Sequence, residues 1–218
     1  MQIIWQGQAL FQITSSQGKN NTTRIIIDPF SKEIGLRVPK LESEIVLVTH
    51  QHHDHNNANA VDGNPIIIDG PGEYESRGIF MKGIQSFHDN SQGKERGLNT
   101  IYTITAEDNI RLCHLGDLGQ AELSEEQLEA IGDIDVLMIP VGGVYTISSK
   151  EAVKIISQIE PRIIIPMHYG VPKLKVKLEP VDKFLKAFGI KSLEPLKKLS
   201  IKKKDINPEE AKIITLEM

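Results

Sequence analysis

The segment Val48-Thr49-His50-Gln51-His52-His53-Asp54-His55 decides how this chain reads: four of its seven histidines and one aspartate fall within six consecutive residues, directly after the apolar run Ile45-Val46-Leu47-Val48. Residues two apart on an extended chain face the same way, so His50 and His52 can offer imidazoles to one metal ion. A turn after them lets Asp54 and His55 face a second ion. His53, between them, reads as a surface or packing residue. Each ion still needs ligands, and the chain offers candidates in matching positions. His88 follows Gly83-Ile84-Gln85-Ser86-Phe87, Asp117 follows Arg111-Leu112-Cys113-His114-Leu115-Gly116, and His168 follows Ile163-Ile164-Ile165-Pro166-Met167. Every candidate stands just past the carboxyl end of an apolar run, where ligand sites of open α/β sheets gather.

The runs themselves set the fold class. Arg24–Ile27, Glu44–Val48, Pro65–Ile68 and Asp135–Ile139 are short, β-branched and bounded by turn formers, which reads as buried strands. Thr100–Ile104 alternates and is followed by the turn Asp108-Asn109 and Ile110–Cys113, predicting a hairpin with one wet face. Ser124, three residues ahead of Gln127, opens a helix to about Ile131. Ser148 or Ser149 opens another through Ile155, Ile156 and Ile159. A last helix is expected after Pro180, through Val181, Phe184, Leu185 and Phe188 to Gly189. Strands with interspersed helices imply sheets covered by helices, in one domain spanning residues 1–218.

Composition narrows the classes. The 218 residues carry 25 basic and 29 acidic side chains, a formal charge of −4, and a lone cysteine, Cys113, which excludes a disulfide framework. Cys113 lies inside a strand without the neighbouring charges of a nucleophilic thiolate and is expected to be core. The opening Met-Gln-Ile-Ile-Trp-Gln-Gly has no basic n-region, and no run approaches the roughly 18 apolar residues a membrane span requires, so a cytoplasmic location without membrane contact is expected. Residues 1–170 hold 13 basic and 22 acidic groups, whereas residues 171–218 hold 12 and 7. The basic stretch Lys197–Lys204 alternates Lys with Leu199 and Ile201 like a solvated edge strand, so nucleic acid is not the expected partner. Gly70-Pro71-Gly72 is no dinucleotide fingerprint, because Glu75 stands where the third glycine belongs.

The pattern His-x-His-x-Asp-His, a later lone His, an Asp in a Gly-Asp turn and a final His after an apolar strand resembles the metallo-β-lactamase superfamily, over about two-thirds of the chain, from Asp28 to Gly170. Ile27-Asp28-Pro29-Phe30, Gly63-Asn64-Pro65, Pro71-Gly72-Glu73-Tyr74, Arg96-Gly97-Leu98-Asn99-Thr100, His114-Leu115-Gly116-Asp117-Leu118-Gly119 and Ile165-Pro166-Met167-His168-Tyr169-Gly170 are similar to its small bacterial and archaeal Zn-dependent hydrolase branch, which includes ascorbate-6-phosphate lactonases. The resemblance implies an α/β fold, a four-layer αβ/βα sandwich with metals at the edge between two sheets. It implies that His50, His52 and His88 hold one metal and Asp54, His55 and His168 the other, with Asp117 bridging. Asp28 matches the acid that supports a metal-bound histidine.

Departures refine this. His52 replaces the Glu of di-iron oxygen-reducing relatives, and Asp117 stands where true β-lactamases often carry Cys. Glyoxalase-type thioesterases share the histidine motif but resemble this chain less at its far end, where their glutathione-binding helical region is expected, and nothing here resembles the RNA-binding arm of the tRNA-processing nucleases. The expected activity is hydrolysis of a small ester, lactone or phosphodiester by a hydroxide shared between two divalent ions about 3.5–4 Å apart. Imidazole-rich ligation favours Zn²⁺, and the carboxylates also suit Mn²⁺ or Fe²⁺. Asp54 and Asp117 are the expected catalytic carboxylates. His114 is read as a proton carrier or a support, and Tyr145 as a substrate contact or part of a turn; Asn99 carries no assigned role. The rivals are a non-catalytic metal-containing binding or sensing protein and a nuclease of the same fold.

Overall fold

Isoleucine-rich runs too short for helices pair as strands instead. The computed structural model describes residues 1–16 and 22–218. Along the chain come β1 (Gln2–Trp5), β2 (Phe11–Ser16), β3 (Thr22–Ile27), β4 (Leu41–Glu42), β5 (Ile45–Leu47), β6 (Val61–Asp62), β7 (Ile66–Ile68), β8 (Gly72–Ser76), β9 (Ile79–Phe87), β10 (Leu98–Thr105) and β11 (Arg111–His114). They are followed by α1 (Glu125–Ile131), β12 (Val136–Pro140), α2 (Ser149–Ile159), β13 (Ile163–Met167), α3 (Val181–Ala187), β14 (Leu199–Ser200) and β15 (Lys212–Ile213). Among the described residues these strands build a six-stranded sheet, β14-β1-β2-β3-β5-β7, and a seven-stranded sheet, β15-β13-β12-β11-β10-β9-β8, with the small pair β4-β6 apart.

The side-chain period of two puts the sheets face to face. Ile25 and Ile27 of β3 and Ile45 and Leu47 of β5 enter the main core with Ile101, Leu112 and Val136 of the other sheet. The intervening Ile26 and Val46 point the opposite way, into a second cluster with Phe30, Ile34 and Leu36. Helices α1, α2 and α3 pack together along the seven-stranded sheet, with Ala152, Ile155, Ile156 and Ile159 of α2 buried in the main core. Both Ser124 and Ser148 form capping boxes, each hydroxyl accepting a backbone N–H three residues on. Over the second cluster the covering layer is made by the 3-10 turns Lys32–Ile34 and Ala58–Ala60 and extended chain. The αβ/βα sandwich is therefore present, with short turns serving as the layer over the six-stranded sheet.

Three sequence expectations change. β7 is an edge strand, leaving Ile66 and Ile67 54% and 52% exposed, so a run that reads as buried is half open. The β10–β11 hairpin has no wet face, because β10 lies inside the sheet between β9 and β11 and both its faces are covered. The last helix ends at Ala187, two residues before Gly189. β14 pairs with β1 at an edge, burying Leu199 and Ile201 and leaving the flanking lysines exposed, as the alternation of that stretch implies.

The sheets are stitched together where their strands end. Thr100 N–H donates to Thr49 O (2.9 Å) and His168 N–H to Gln8 O (3.0 Å). The fully buried Tyr102 of β10 sends its hydroxyl toward Val48 O (3.1 Å) and Ile68 O (3.2 Å), just past the ends of β5 and at the end of β7. Removing that hydroxyl strands a buried carbonyl, so Tyr102→Phe is expected to destabilise the fold by about 1–2 kcal/mol. Urea denaturation checks this; an unchanged midpoint would mean the seam does not depend on this bond.

Candidate metal centre

Five strand ends deliver the side chains that sequence reading singled out. Asp28 follows β3, the His50–His55 segment follows β5, His88 follows β9, Asp117 follows β11 and His168 follows β13. All seven proposed ligands converge. The donor atoms of His50, His52 and His88 lie within 4.8 Å of one another, as do those of Asp54, His55 and His168, and those of His50, His55 and Asp117. Asp117 Oδ2 is the hub, 3.3 Å from Nε2 of His55, 3.3 Å from Nε2 of His88 and 3.1 Å from Nε2 of His168. One carboxylate oxygen thus reaches imidazoles of both outer trios.

Buried hydrogen bonds fix which nitrogen each ring presents. Asp28, fully buried, accepts Thr49 N–H at Oδ1 (2.8 Å) and the Thr49 hydroxyl at Oδ2 (2.7 Å). Because that hydroxyl proton is committed, Thr49 Oγ1 accepts from His50 Nδ1 (3.0 Å), which leaves His50 Nε2 as a lone pair. Asp28 Oδ2 also receives His55 Nδ1 (2.9 Å), leaving His55 Nε2 as a lone pair aimed at Asp54 Oδ2 (3.5 Å) and Asp117 Oδ2. Here lies the test of fit. His55 Nε2 and Asp117 Oδ1 are buried without a hydrogen-bond partner, and His50 Nε2 faces His52 Nδ1 at 3.1 Å. A buried ring nitrogen and carboxylate oxygen without partners, set among further imidazoles and carboxylates, are satisfied by cations, so this donor set fits divalent metal.

Charge states agree with that fit. Burial, reinforced by neighbouring His55, pushes the His50 pKa down to about 2, and burial with His88 lowers that of His52. Burial works against ionised Asp117, yet His168 and His55 beside it hold its carboxyl well below the usual range. Burial likewise opposes ionised Asp54, and His55 outweighs it. His55 goes the other way: burial disfavours its charge, but Asp117 and Asp28 hold the ring well above its ordinary value. The carboxylates pull positive charge to the point where the His55 lone pair lies, and a bound cation would supply it.

Several supports escaped sequence reading. Gln8 Nε2 donates to Asp54 Oδ2 (2.9 Å), while Gln8 O accepts Trp5 Nε1 (2.9 Å) and His168 N–H, tying the β1–β2 turn to two proposed ligands. A glutamine in a turn carries no local signal of such a role. Asn99 acquires one: its Oδ1 accepts Asp117 N–H (2.9 Å), and its Nδ2 donates to Ser86 Oγ (2.7 Å) and Leu115 O (2.9 Å). Gly116, at φ +57°, passes so close that an added Cβ would fall on Asn99 Oδ1 and within 2.8 Å of Thr49 Cβ. Gln8, Asp28 and His168 also hold left-handed backbone, at φ 51°, 51° and 50°, a strain typical of sites fixed by their surroundings.

His114 does not line the cavity, which corrects the expectation of a proton carrier. It is fully buried, its Nδ1 accepts Gly116 N–H (3.1 Å) and its Nε2 donates to Ala9 O (3.0 Å), leaving no nitrogen for substrate. Burial lowers its pKa, in keeping with a neutral ring that ties the Gly116-Asp117 turn to Ala9 of the β1–β2 turn. His53 is exposed, as the surface reading expects, and it lies on the cavity lining. Cys113 is buried, and burial raises its thiol pKa, as a core residue should show. The cavity of about 560 Å³ is lined by His52, His53, Asp54, His88, Asp117 and His168 together with Arg96, Tyr145, Lys175, Val176 and Lys177.

Residues 2–168 match the family described as the Beta-lactamase superfamily domain. The chain belongs to the metallo-β-lactamase superfamily. Within it, a UPF0173 protein of Pyrococcus furiosus is 32% identical over 194 residues, covering 78% of this chain and 84% of that protein. A UPF0173 metal-dependent hydrolase of Thermococcus onnurineus is 29% identical over 198 residues, covering 78% and 85%. The crystal structure of a Thermotoga maritima protein, assigned as a candidate Zn-dependent hydrolase of the superfamily, is 36% identical with a TM-score of 0.79, covering 99% of this chain and 97% of that one. This superfamily member thus falls among the metal-dependent hydrolases. Among the described residues, no helix is long and apolar enough to cross a membrane.

Asp28→Asn tests the supports. An amide cannot accept from both the Thr49 hydroxyl and His55 Nδ1 at the same oxygen and also from Thr49 N–H, so the His55 ring loses its orientation. Metal affinity is expected to fall about 10–100-fold with the fold retained, read by competition against a chromophoric chelator. Equal affinity would show that Asp28 does not set the ring.

Proposed function

We propose that this chain is a hydrolase of small esters or lactones that works with two divalent cations. His50, His52 and His88 would hold one and Asp54, His55 and His168 the other, with Asp117 shared. The observation that carries the reading is the Asp117 Oδ2 hub, touching imidazoles of both trios at 3.1–3.3 Å on the wall of an open cavity. Divalent cations held by these residues would supply a water acidified toward neutrality and a Lewis acid for the oxygen of the bond to be cleaved. The imidazole-rich set favours Zn²⁺, and its carboxylates also accommodate Mn²⁺ or Fe²⁺.

The chain's own groups do the rest. Asp28 keeps the His55 lone pair directed inward, Thr49 does the same for His50, and Gln8 restrains Asp54. Asn99 and His114 clamp the Gly116-Asp117 turn from two sides, so the shared carboxylate has little freedom to swing. Groups held in place before reaction need no reorganisation during it, which is how such sites lower barriers. His53 on the cavity wall, outside the ligand set, is the imidazole available to give a proton from a ring nitrogen to the leaving oxygen. A cavity of about 560 Å³ suits a small molecule. Its opening onto the ligands also argues against a purely structural metal, whose site is normally closed.

Elemental analysis of wild-type protein is expected to give two metal equivalents, with turnover of at least one substrate in a panel of lactones, esters, thioesters and phosphodiesters. His52→Ala is expected to lose one equivalent and to cut turnover by about 100-fold or more. Retention of both equivalents and of full activity in His52→Ala would sink the ligand assignment. Metal-replete wild type inert across the panel would favour the binding-protein reading instead.

A further inference from the structure

The cavity that holds the metal-ligand cluster is also lined by cations, although the chain as a whole is acidic. Arg96, Lys175 and Lys177 line the same cavity as His88, Asp117 and His168. Among the described residues, no carboxylate forms an ion pair with any of the three, whereas Arg24, Lys183 and Lys203 elsewhere are each matched to Glu or Asp. Unpaired cations gathered on a concave wall attract an anion from solution rather than each other.

Arg96 is also held ready. The Asp89 carboxylate, next to His88, accepts the backbone N–H groups of Ser91 (2.7 Å), Gly93 (2.9 Å), Glu95 (3.0 Å) and Arg96 (2.8 Å), closing the loop that carries the arginine. Gly97 returns that loop to the protein, its carbonyl accepting His88 N–H at 3.1 Å, so the arginine and a proposed metal ligand share one frame. The guanidinium lies over the Tyr145 ring, 4.7 Å from its centroid. A stacked guanidinium keeps its edge N–H groups free, and that edge matches two oxygens of a planar or tetrahedral oxyanion. Lys175 and Lys177, also on the cavity lining, are two residues apart and both exposed, while Leu174 and Val176 between and before them pack on the second apolar cluster. Lys175 N–H donates to Ile34 O (2.8 Å) and Glu179 N–H to Gly142 O (2.9 Å), which pins the segment at two points.

We propose that this wall recognises an oxyanion on the substrate, a carboxylate or a phosphate remote from the bond cleaved, with Arg96 as the principal contact and Lys175 and Lys177 as supporting charges. The proposal names the substrate class of the hydrolase reading and rests on it for the reacting bond, while the anion contact rests on these residues alone.

The test pairs mono-p-nitrophenyl glutarate with neutral p-nitrophenyl pentanoate on the metal-loaded full chain, with metal content measured in every variant. Wild type is expected to favour the anionic ester in kcat/KM by about tenfold or more, and Arg96→Gln to bring that ratio to within about twofold, mainly through KM. Lys150→Gln, an exposed charge at the start of α2, controls for net charge and should keep the wild-type ratio. No preference in wild type, or the same preference in Arg96→Gln and in Lys175→Gln/Lys177→Gln, overturns the proposal. Calorimetry with glutarate and with inorganic phosphate decides between the two oxyanions and does not depend on turnover. Binding of either that weakens about tenfold in Arg96→Gln supports the wall even if neither ester is cleaved, an outcome that would count against hydrolysis alone. Equal binding by wild type and Arg96→Gln overturns it. So does a short single-stranded RNA that binds more tightly than both small anions with the same dependence on Arg96.

Discussion

Removing a carboxylate from water costs several kcal/mol unless its lone pairs find partners, and this protein buries Asp28 and Asp117 almost completely, in contact with three buried imidazoles, with Asp54 largely enclosed beside them. Asp28 shows how the cost is met. It accepts two hydrogen bonds from Thr49 and one from His55, so its charge is fully used inside the protein. Asp117 differs. Its backbone is held by Asn99, its Oδ2 is crowded by imidazole nitrogens, and its Oδ1 has no partner. The fold satisfies one buried carboxylate from within and leaves the other directed at a place where a cation would sit. Strand ends, left-handed backbone and cross-sheet bonds all serve that asymmetry.

The ligands could be read in the sequence because their chemistry is dense and local. His50, His52, Asp54 and His55 lie within one turn of chain, and an imidazole two residues from another already implies a shared face. Asp28, His88, Asp117 and His168 were readable because each ends an apolar strand, a position visible without knowing which strand lies beside which. Gln8 and Thr49 were not, since their roles arise from pairings between β1–β2 and the β5 end that only the folded sheets create. His114 left the cavity for the same reason. Alternation along the chain cannot say that one imidazole faces the cavity while another is buried with both nitrogens engaged. Burial erred at β7 and β10, where an isoleucine run and an alternating run exchanged their expected exposures because sheet position outweighs pattern.

The site's rigidity and its chemistry have one origin. Gln8, Asp28 and His168 sit at φ near +50°, where side-chain-bearing residues are sparsely found. Each such conformation costs on the order of 1–3 kcal/mol and persists only where surrounding contacts over-determine it. Here they do. Gln8 O takes the Trp5 indole and His168 N–H, Asp28 N–H donates to Leu47 O, and Tyr169, next to His168, packs its ring 4.8 Å from Trp5. A chain that holds strain in this way places its ligands before any cation arrives, so binding energy goes into coordination rather than into ordering loops.

Two parts of the cavity lining divide the electrostatic work. The ligand set is rich in carboxylate and imidazole, and with cations in place its sign would reverse. The rest of the lining is cationic from the start, through Arg96 and two lysines on a segment anchored to Ile34 and Gly142. Both parts would then attract negative charge, one at the atoms that react and one at a distance. Such an arrangement disfavours a neutral substrate that could slide between orientations, and it gives an anionic one a single direction of approach. A formal charge of −4 over the whole chain hides this, because the excess acid lies outside the cavity or among the proposed ligands. The loop tied down by Asp89 makes the link covalent as well as electrostatic: it begins at His88, a proposed ligand, and ends by presenting Arg96. Displacing either residue shifts the other, so the position of the anion and the position of the reacting bond are set by one short piece of chain.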